Sequence, residues 1–210
     1  MSATLLRLLS TFVLLLSLGG LCAADTIDQS VSGPFFENVS FSPGFFWAQT
    51  YTAGLTGNLT SVGLGIFTAV GDTVQVQIRN VVSGAPGSTI LGSASIPAPS
   101  GCCGAFVPVS FSSMIGQAAG TQYAITVTDT IFGGWIGGLL PPYSGGTVFS
   151  SSDGTNWSLQ GIGSLNNIPD LYFQTVVNTS VAPVPEPNGL LLLGAGLVAL
   201  AGAVQRKWRR

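Results

Sequence analysis

Apolar and polar residues change places with a period of two along most of this chain. Val62, Leu64 and Ile66 recur with Gly63 and Gly65 between them. Val74, Val76 and Ile78 face one way, and Gln75, Gln77 and Arg79 the other. Val107, Val109 and Phe111 alternate around Pro108 and Ser110. Tyr123, Ile125 and Val127 alternate with Ala124, Thr126 and Thr128, and Leu171, Phe173 and Thr175 with Tyr172 and Gln174. Runs of this kind, rich in Val, Ile, Thr and aromatics, predict half-buried strands. Turn signals separate them: Gly71-Asp72, Ser83 to Gly87, Gly133-Gly134, Pro141-Pro142, Gly145-Gly146 and Asp153-Gly154. Asp153-Gly154, with Phe149 before it and Trp157 after it, predicts a tight hairpin. No sustained 3.6-residue stripe interrupts the series. The pattern predicts an all-β fold, an antiparallel β-sandwich of jelly-roll type.

The two ends break the pattern. Met1 to Ala24 reads as a secretory signal peptide, with Arg7 as its positive region and Leu8 to Leu18 as its apolar core. Cys22-Ala23-Ala24 places small residues at the −3 and −1 positions of a cut before Asp25. At the other end Pro185-Glu186-Pro187 is a stiff, extended tripeptide, because each proline fixes its own φ and disfavours helix before it. Gly189 to Val204 follows without a charge, and the chain stops on Arg206-Lys207-Trp208-Arg209-Arg210. An uncharged apolar run ahead of a basic cluster and an interfacial Trp predicts a transmembrane helix over 189–204 with a cytoplasmic tail. The run is short, about 24 Å against a hydrocarbon core of about 30 Å. Snorkelling Arg and Lys cover part of the deficit.

Pro185-Glu186-Pro187, the short Leu/Gly/Ala-rich span and the terminal Arg cluster together resemble the PEP-CTERM sorting signal of Gram-negative bacteria. The resemblance implies an exosortase as partner, a membrane-embedded transpeptidase of cysteine type. That enzyme would cut near Pro185, Glu186 and Pro187 and release the protein to the cell surface or exopolysaccharide matrix. Arg206, Lys207, Arg209 and Arg210 would be the cytoplasmic stop. The expected division is a signal peptide over 1–24, a sandwich over 25–177, a linker over 178–184 and the sorting signal over 185–210. A second resemblance joins Ala48 to Gly54, Leu59 to Val62, Gly84 to Gly87, Gly120 to Ile125 and Asp170 to Thr175. In that order they are similar to the choice-of-anchor β-sandwich of bacterial surface proteins.

Charge narrows the function. Outside both end signals the chain carries seven acids against the single base Arg79, a net charge of −6. Such a body is a poor partner for nucleic acid, which needs Lys and Arg to displace counterions. Charged residues are 7% of the chain, but 46% hydrophobic content is enough for a core. There is no histidine, so there is no Ser-His or Cys-His pair and no imidazole metal ligand. The acids are scattered among turns and strand ends. No catalytic residue, metal set or cofactor is therefore named. Asp153 in Ser151 to Asn156 could be a calcium ligand or a turn residue. Cys102 and Cys103 are adjacent, which permits a loop pair, a strained vicinal disulfide or an intermolecular bridge.

Four tryptophans and four tyrosines leave one further reading. Flat rings stack on sugar faces, so exposed aromatics can hold extracellular polysaccharide. Trp135 and Tyr143, in a Gly/Pro-rich stretch predicted to be an exposed loop, are the candidate carbohydrate contacts. Trp47 and Trp157 flank strand patterns and are expected in the core.

Overall fold

The computed structural model describes residues 24–33, 37–97, 106–138, 142–160, 170–179 and 196. Every element described is a β-strand. Among the described residues no helix is long and apolar enough to cross a membrane. Ala24–Thr179 forms one compact unit. The expected signal peptide, the 189–204 helix, the basic tail and the Cys102-Cys103 pair lie outside the described residues, apart from Ala24 and Gly196.

Three antiparallel sheets share one apolar core. The first runs β1 (Ala24–Val31), β14 (Phe173–Thr179), β4 (Gly57–Leu64), β8 (Val107–Gln117). The second runs β12 (Ser158–Gln160), β11 (Val148–Ser151), β3 (Phe46–Thr52), β9 (Gln122–Asp129), β6 (Thr73–Val82), β7 (Ala85–Pro97). The third centres on β10 (Gly133–Gly138), which pairs with β2 (Glu37–Phe41), β5 (Ile66–Thr68) and β13 (Asp170–Leu171). Period two decides what faces inward. Val74, Val76 and Ile78 of β6, Ile125 and Val127 of β9, and Phe173 of β14 are fully buried. Tyr51 and Phe173 meet between the first and second sheets with ring centroids 5.9 Å apart. β14 runs on through Asn178 and Thr179, two residues into the expected linker.

Three local expectations need correction. Gly133 and Gly134 do not turn the chain. They belong to β10, all six residues of which are buried. These glycines serve close approach: a Cβ on Gly133 would meet the Phe41 ring, and one on Gly134 the Phe67 ring. Asp153-Gly154 does lie in the hairpin that joins β11 to β12, but six residues separate the strands, so the hairpin is not tight. The tight turn is instead Ser83-Gly84, with φ of 51° and 83°, and residues 85–87 belong to β7.

The third correction concerns β9, which is buried on both faces rather than one. Its outward face is made of the small residues Ala124 and Thr126, opposite Arg79 and Gln77 of β6. Residues 152–157 reach this face. The Gly154 carbonyl accepts from Arg79 Nη1 at 2.8 Å, and the Trp157 ring lies 5.8 Å from the guanidinium. Arg79 is consequently 7% exposed, and burial lowers its pKa. Its Nε and Nη2 both donate to Gln77 Oε1. Trp157 is thus half-buried against the outside of a sheet, not set in the core.

Candidate functional site

Trp47 and Trp135 are both in the interior. Trp47 is 4% exposed and donates from Nε1 to the Ser40 carbonyl at 2.7 Å. Trp135 is fully buried, opposite Val39 of β2 and Ile66 of β5, and donates from Nε1 to the Tyr172 carbonyl at 2.9 Å. A ring in that position presents no face to a sugar, so the expectation of an exposed Trp135 is overturned. The physical reason is that β10 is flanked by three strands, and a central strand buries its side chains.

Tyr143 does lie in a loop, between β10 and β11, and it is half-buried. Its ring packs edge-on against Phe173 at 5.6 Å and its hydroxyl donates to Gln29 Oε1 at 2.9 Å. Burial raises its pKa. It stands in the wall of a cleft of about 330 Å³ lined also by Ser30, Ser32, Ser144, Asp170 and Tyr172. They come from β1 and the residue after it, from β13 and the residue after it, and from the 142–144 loop.

Glycine makes room for the aromatic wall. A Cβ on Gly33 or Gly138 would collide with the Tyr172 ring, so that ring lies directly on backbone. Tyr172 falls between the buried residues Leu171 and Phe173, which turns its side chain to the opposite face. Asp170 sits at the base of the cleft and is 3% exposed. Its Oδ2 accepts from the Tyr143 N–H at 2.5 Å and its Oδ1 from Gln49 Nε2 at 3.3 Å. Burial still raises its pKa against those two donors. Gln49, fully buried, also accepts from the Leu171 N–H at 2.8 Å and donates to the Thr50 carbonyl at 3.0 Å. One amide thereby ties the cleft floor to β3.

The sequence reasoning named Tyr143 but neither Tyr172 nor Asp170 as cleft residues. A signal existed for Gln49, which is in phase with the core residues Trp47 and Tyr51. No such signal joins Ser30 to Ser144, which line the cleft from β1 and from the loop between β10 and β11.

Asp153 is a turn residue. Its Oδ1 accepts from the N–H groups of Asn156 and Thr155 and from Ser151 Oγ, at 2.7, 2.8 and 2.9 Å. Those donors, the Asn156 N–H first, hold its pKa well below the usual carboxylate range. Among the described residues no three acids or cysteines gather as a metal set.

Pro185, Glu186, Pro187, Arg206, Lys207, Arg209 and Arg210 lie outside the described residues, and comparison with known proteins bears on them directly. Residues 183–207 match the PEP-CTERM protein-sorting motif. This chain carries the sorting signal of an exported exosortase substrate. The PEP-CTERM match includes the Pro-Glu-Pro tripeptide and reaches Lys207, and it implies an exosortase as processing partner and the cell envelope or surface as destination. No curated protein matches the chain.

Proposed function

We propose that this is a non-enzymatic protein of the cell surface or extracellular matrix, held briefly in the membrane and released by exosortase cleavage near Pro185-Glu186-Pro187. The observation that carries the reading is the match over 183–207, which begins four residues after the folded unit ends at Thr179. Gly189 to Val204 is the transient anchor, and Arg206, Lys207, Arg209 and Arg210 keep the tail cytoplasmic. The body is taken as a jelly-roll-like sandwich of choice-of-anchor type, in accord with its all-antiparallel sheets. A non-catalytic role is supported by the absence of histidine and by the cleft, where Asp170 is the single carboxylate among the described lining residues. Glycoside hydrolysis uses two. The test is the intact mass of the protein from envelope and medium. Wild type is expected to lose both ends, and Glu186→Ala with Pro187→Ala is expected to stay membrane-bound with Arg210 present. Normal maturation of that double variant would sink the reading.

A second reading rests on the cleft itself. We infer that it holds a sugar residue of an extracellular polysaccharide, with Tyr172 and Tyr143 as the aromatic wall and Ser30, Ser32 and Ser144 as hydroxyl partners. The described lining residues include no base, and one buried acid sits among them. A neutral glycan therefore suits the cleft, and a uronate polymer does not. In affinity electrophoresis a neutral matrix glucan is expected to retard wild type, and Tyr172→Ala to abolish the retardation. Equal retardation by alginate, or none by neutral glycans, would remove this reading and leave the sorting reading intact.

A further inference from the structure

Asp129 ends β9 directly opposite Val74 of β6. Val74 is fully buried, and directly opposed residues share a face of the sheet. The Asp129 carboxyl therefore enters the interior, and the residue is 4% exposed. Neither of its oxygens has a hydrogen-bond partner among the described residues. A buried carboxylate in that state is costly unless something electropositive reaches it.

Its neighbour Asp72, 2% exposed, is the opposite case. Asp72 Oδ1 accepts from the N–H groups of Thr73, Thr130 and Ile131 at 2.6, 3.0 and 3.0 Å and from Thr130 Oγ1 at 2.7 Å. Its Oδ2 accepts from the Phe132 N–H at 3.1 Å. Burial alone would raise this pKa. The Thr130 hydroxyl and the N–H groups of Phe132, Thr73 and Thr130 outweigh it and hold the group at about 2. Asp72 is thus a fixed negative charge that fastens residues 130–132 to the 69–72 turn. Burial first, and then this charge, push Asp129 up to about 7.

No other charged residue faces the pair from the described elements packed around it. The 69–72 turn and the start of β6 carry only Asp72, and the 130–132 turn and β5 carry none. β2 brings Glu37 opposite Gly137, four residues along β10 from Gly133, or about 13 Å. Arg79 belongs to the outward face of β6. The missing partner is then a proton or a cation. Calcium takes six to eight oxygens. This end offers the two of Asp129, the remaining capacity of Asp72 Oδ2 and the hydroxyl of Thr68, which is buried without a partner. That set is too small for a cation shut away from water, whereas one proton removes the Asp129 charge and gives it a donor toward Asp72.

We propose that Asp129 is held protonated against Asp72 and acts as a pH-operated latch on the double turn of residues 69–72 and 130–132. While Asp129 carries its proton, it donates to Asp72 and the turns are closed. When the O–H bond breaks and the proton leaves to water, two negative charges share one buried site. The cheapest relief is to open the turns and admit water. These turns carry Val70, Ile131 and Phe132, which are 99%, 51% and 48% exposed, so the latch governs how firmly an apolar tip is held. An exported protein meets the external pH directly, and this end of the sheet responds to it.

The test uses the full chain in detergent and the variant Asp129→Asn, whose amide donates to Asp72 at every pH. At about pH 8 the Ile131 and Phe132 amides of wild type are expected to exchange hydrogen at least about tenfold faster than those of the variant, and at about pH 5 equally. Equal exchange at both values would overturn the latch. A rise in wild-type protection on adding millimolar calcium at the higher pH, absent in the variant, would overturn it in favour of a cation. If the variant fails to fold, carboxyl-carbon NMR of wild type decides. A midpoint for Asp129 near about 7 supports the proposal, and one near the ordinary value of about 3.9 ends it.

Discussion

β10 runs between two sites of buried acids, a pair at one end and a single carboxyl at the other, that solve one problem in different ways. At its Gly133 end Asp72 takes five donors and stays ionised, while Asp129 takes none. At its Gly138 end Asp170 takes two donors, one from a loop N–H and one from the Gln49 amide. The donors set Asp72 apart: it is lowered, whereas Asp170 is raised and Asp129 is raised to about 7. The lesson is that burial raises all three groups and that donors and neighbouring charge decide whether the rise survives. All three are at most 4% exposed, and the donors on Asp72 and its charge beside Asp129 separate them. The turn end spends its donors on structure. The cleft end leaves polar groups directed at an open volume, the arrangement a ligand can use.

The heaviest way to break the comparison is to remove the element that joins the two ends. Trp135→Ala, in the middle of β10, is expected to cost about 3–5 kcal/mol in urea unfolding, as deletion of a fully buried aromatic does. It should weaken glycan retention only in proportion to unfolding. Next comes the anchor of the turn end. Asp72→Asn removes the charge and turns part of an acceptor into a donor facing N–H groups, with an expected loss of about 2–3 kcal/mol. Tyr143→Phe, which deletes the hydroxyl bond to Gln29, should cost about 0.5–1.5 kcal/mol and leave the ring against Phe173. The largest effect on binding belongs to Tyr172→Ala, which removes the ring that lies on Gly33 and Gly138.

The pH dependence sharpens the same contrast, because the two acids of the turn end act in opposite directions. Asp72 is lowered to about 2, so its contribution is present above its unfolded pKa and is lost as pH falls through about 2. Asp129 is raised to about 7, so its contribution is complete below its unfolded pKa and is lost as pH rises through about 7. For these two groups together, stability is expected to peak near about pH 4 and to decline toward neutrality. Thermal unfolding across this range checks it. The decline should vanish in Asp129→Asn, and the acid limb should vanish in Asp72→Asn.

Much of the body could be read without coordinates. The alternation of Val74, Val76 and Ile78, of Tyr123, Ile125 and Val127, and of Leu171, Phe173 and Thr175 marks strands because a pleated chain turns successive side chains to opposite faces. The order of Pro-Glu-Pro, apolar span and basic tail is likewise a property of contiguous residues, and it is what the sorting motif matches. What contiguity could not supply is which strands become neighbours. The placement of β10 among three strands turned Trp135 from an expected surface ring into core. The return of residues 152–157 over β6 and β9 buried Arg79 and both faces of a strand that the alternation marks as half-exposed. The meeting of Asp72 with Asp129, 57 positions apart, made one acid a fastener and the other a proton holder. Period and motif act over a few residues along the chain, whereas the ionisation of a buried carboxyl depends on which donors and charges the sheet register brings within hydrogen-bonding reach.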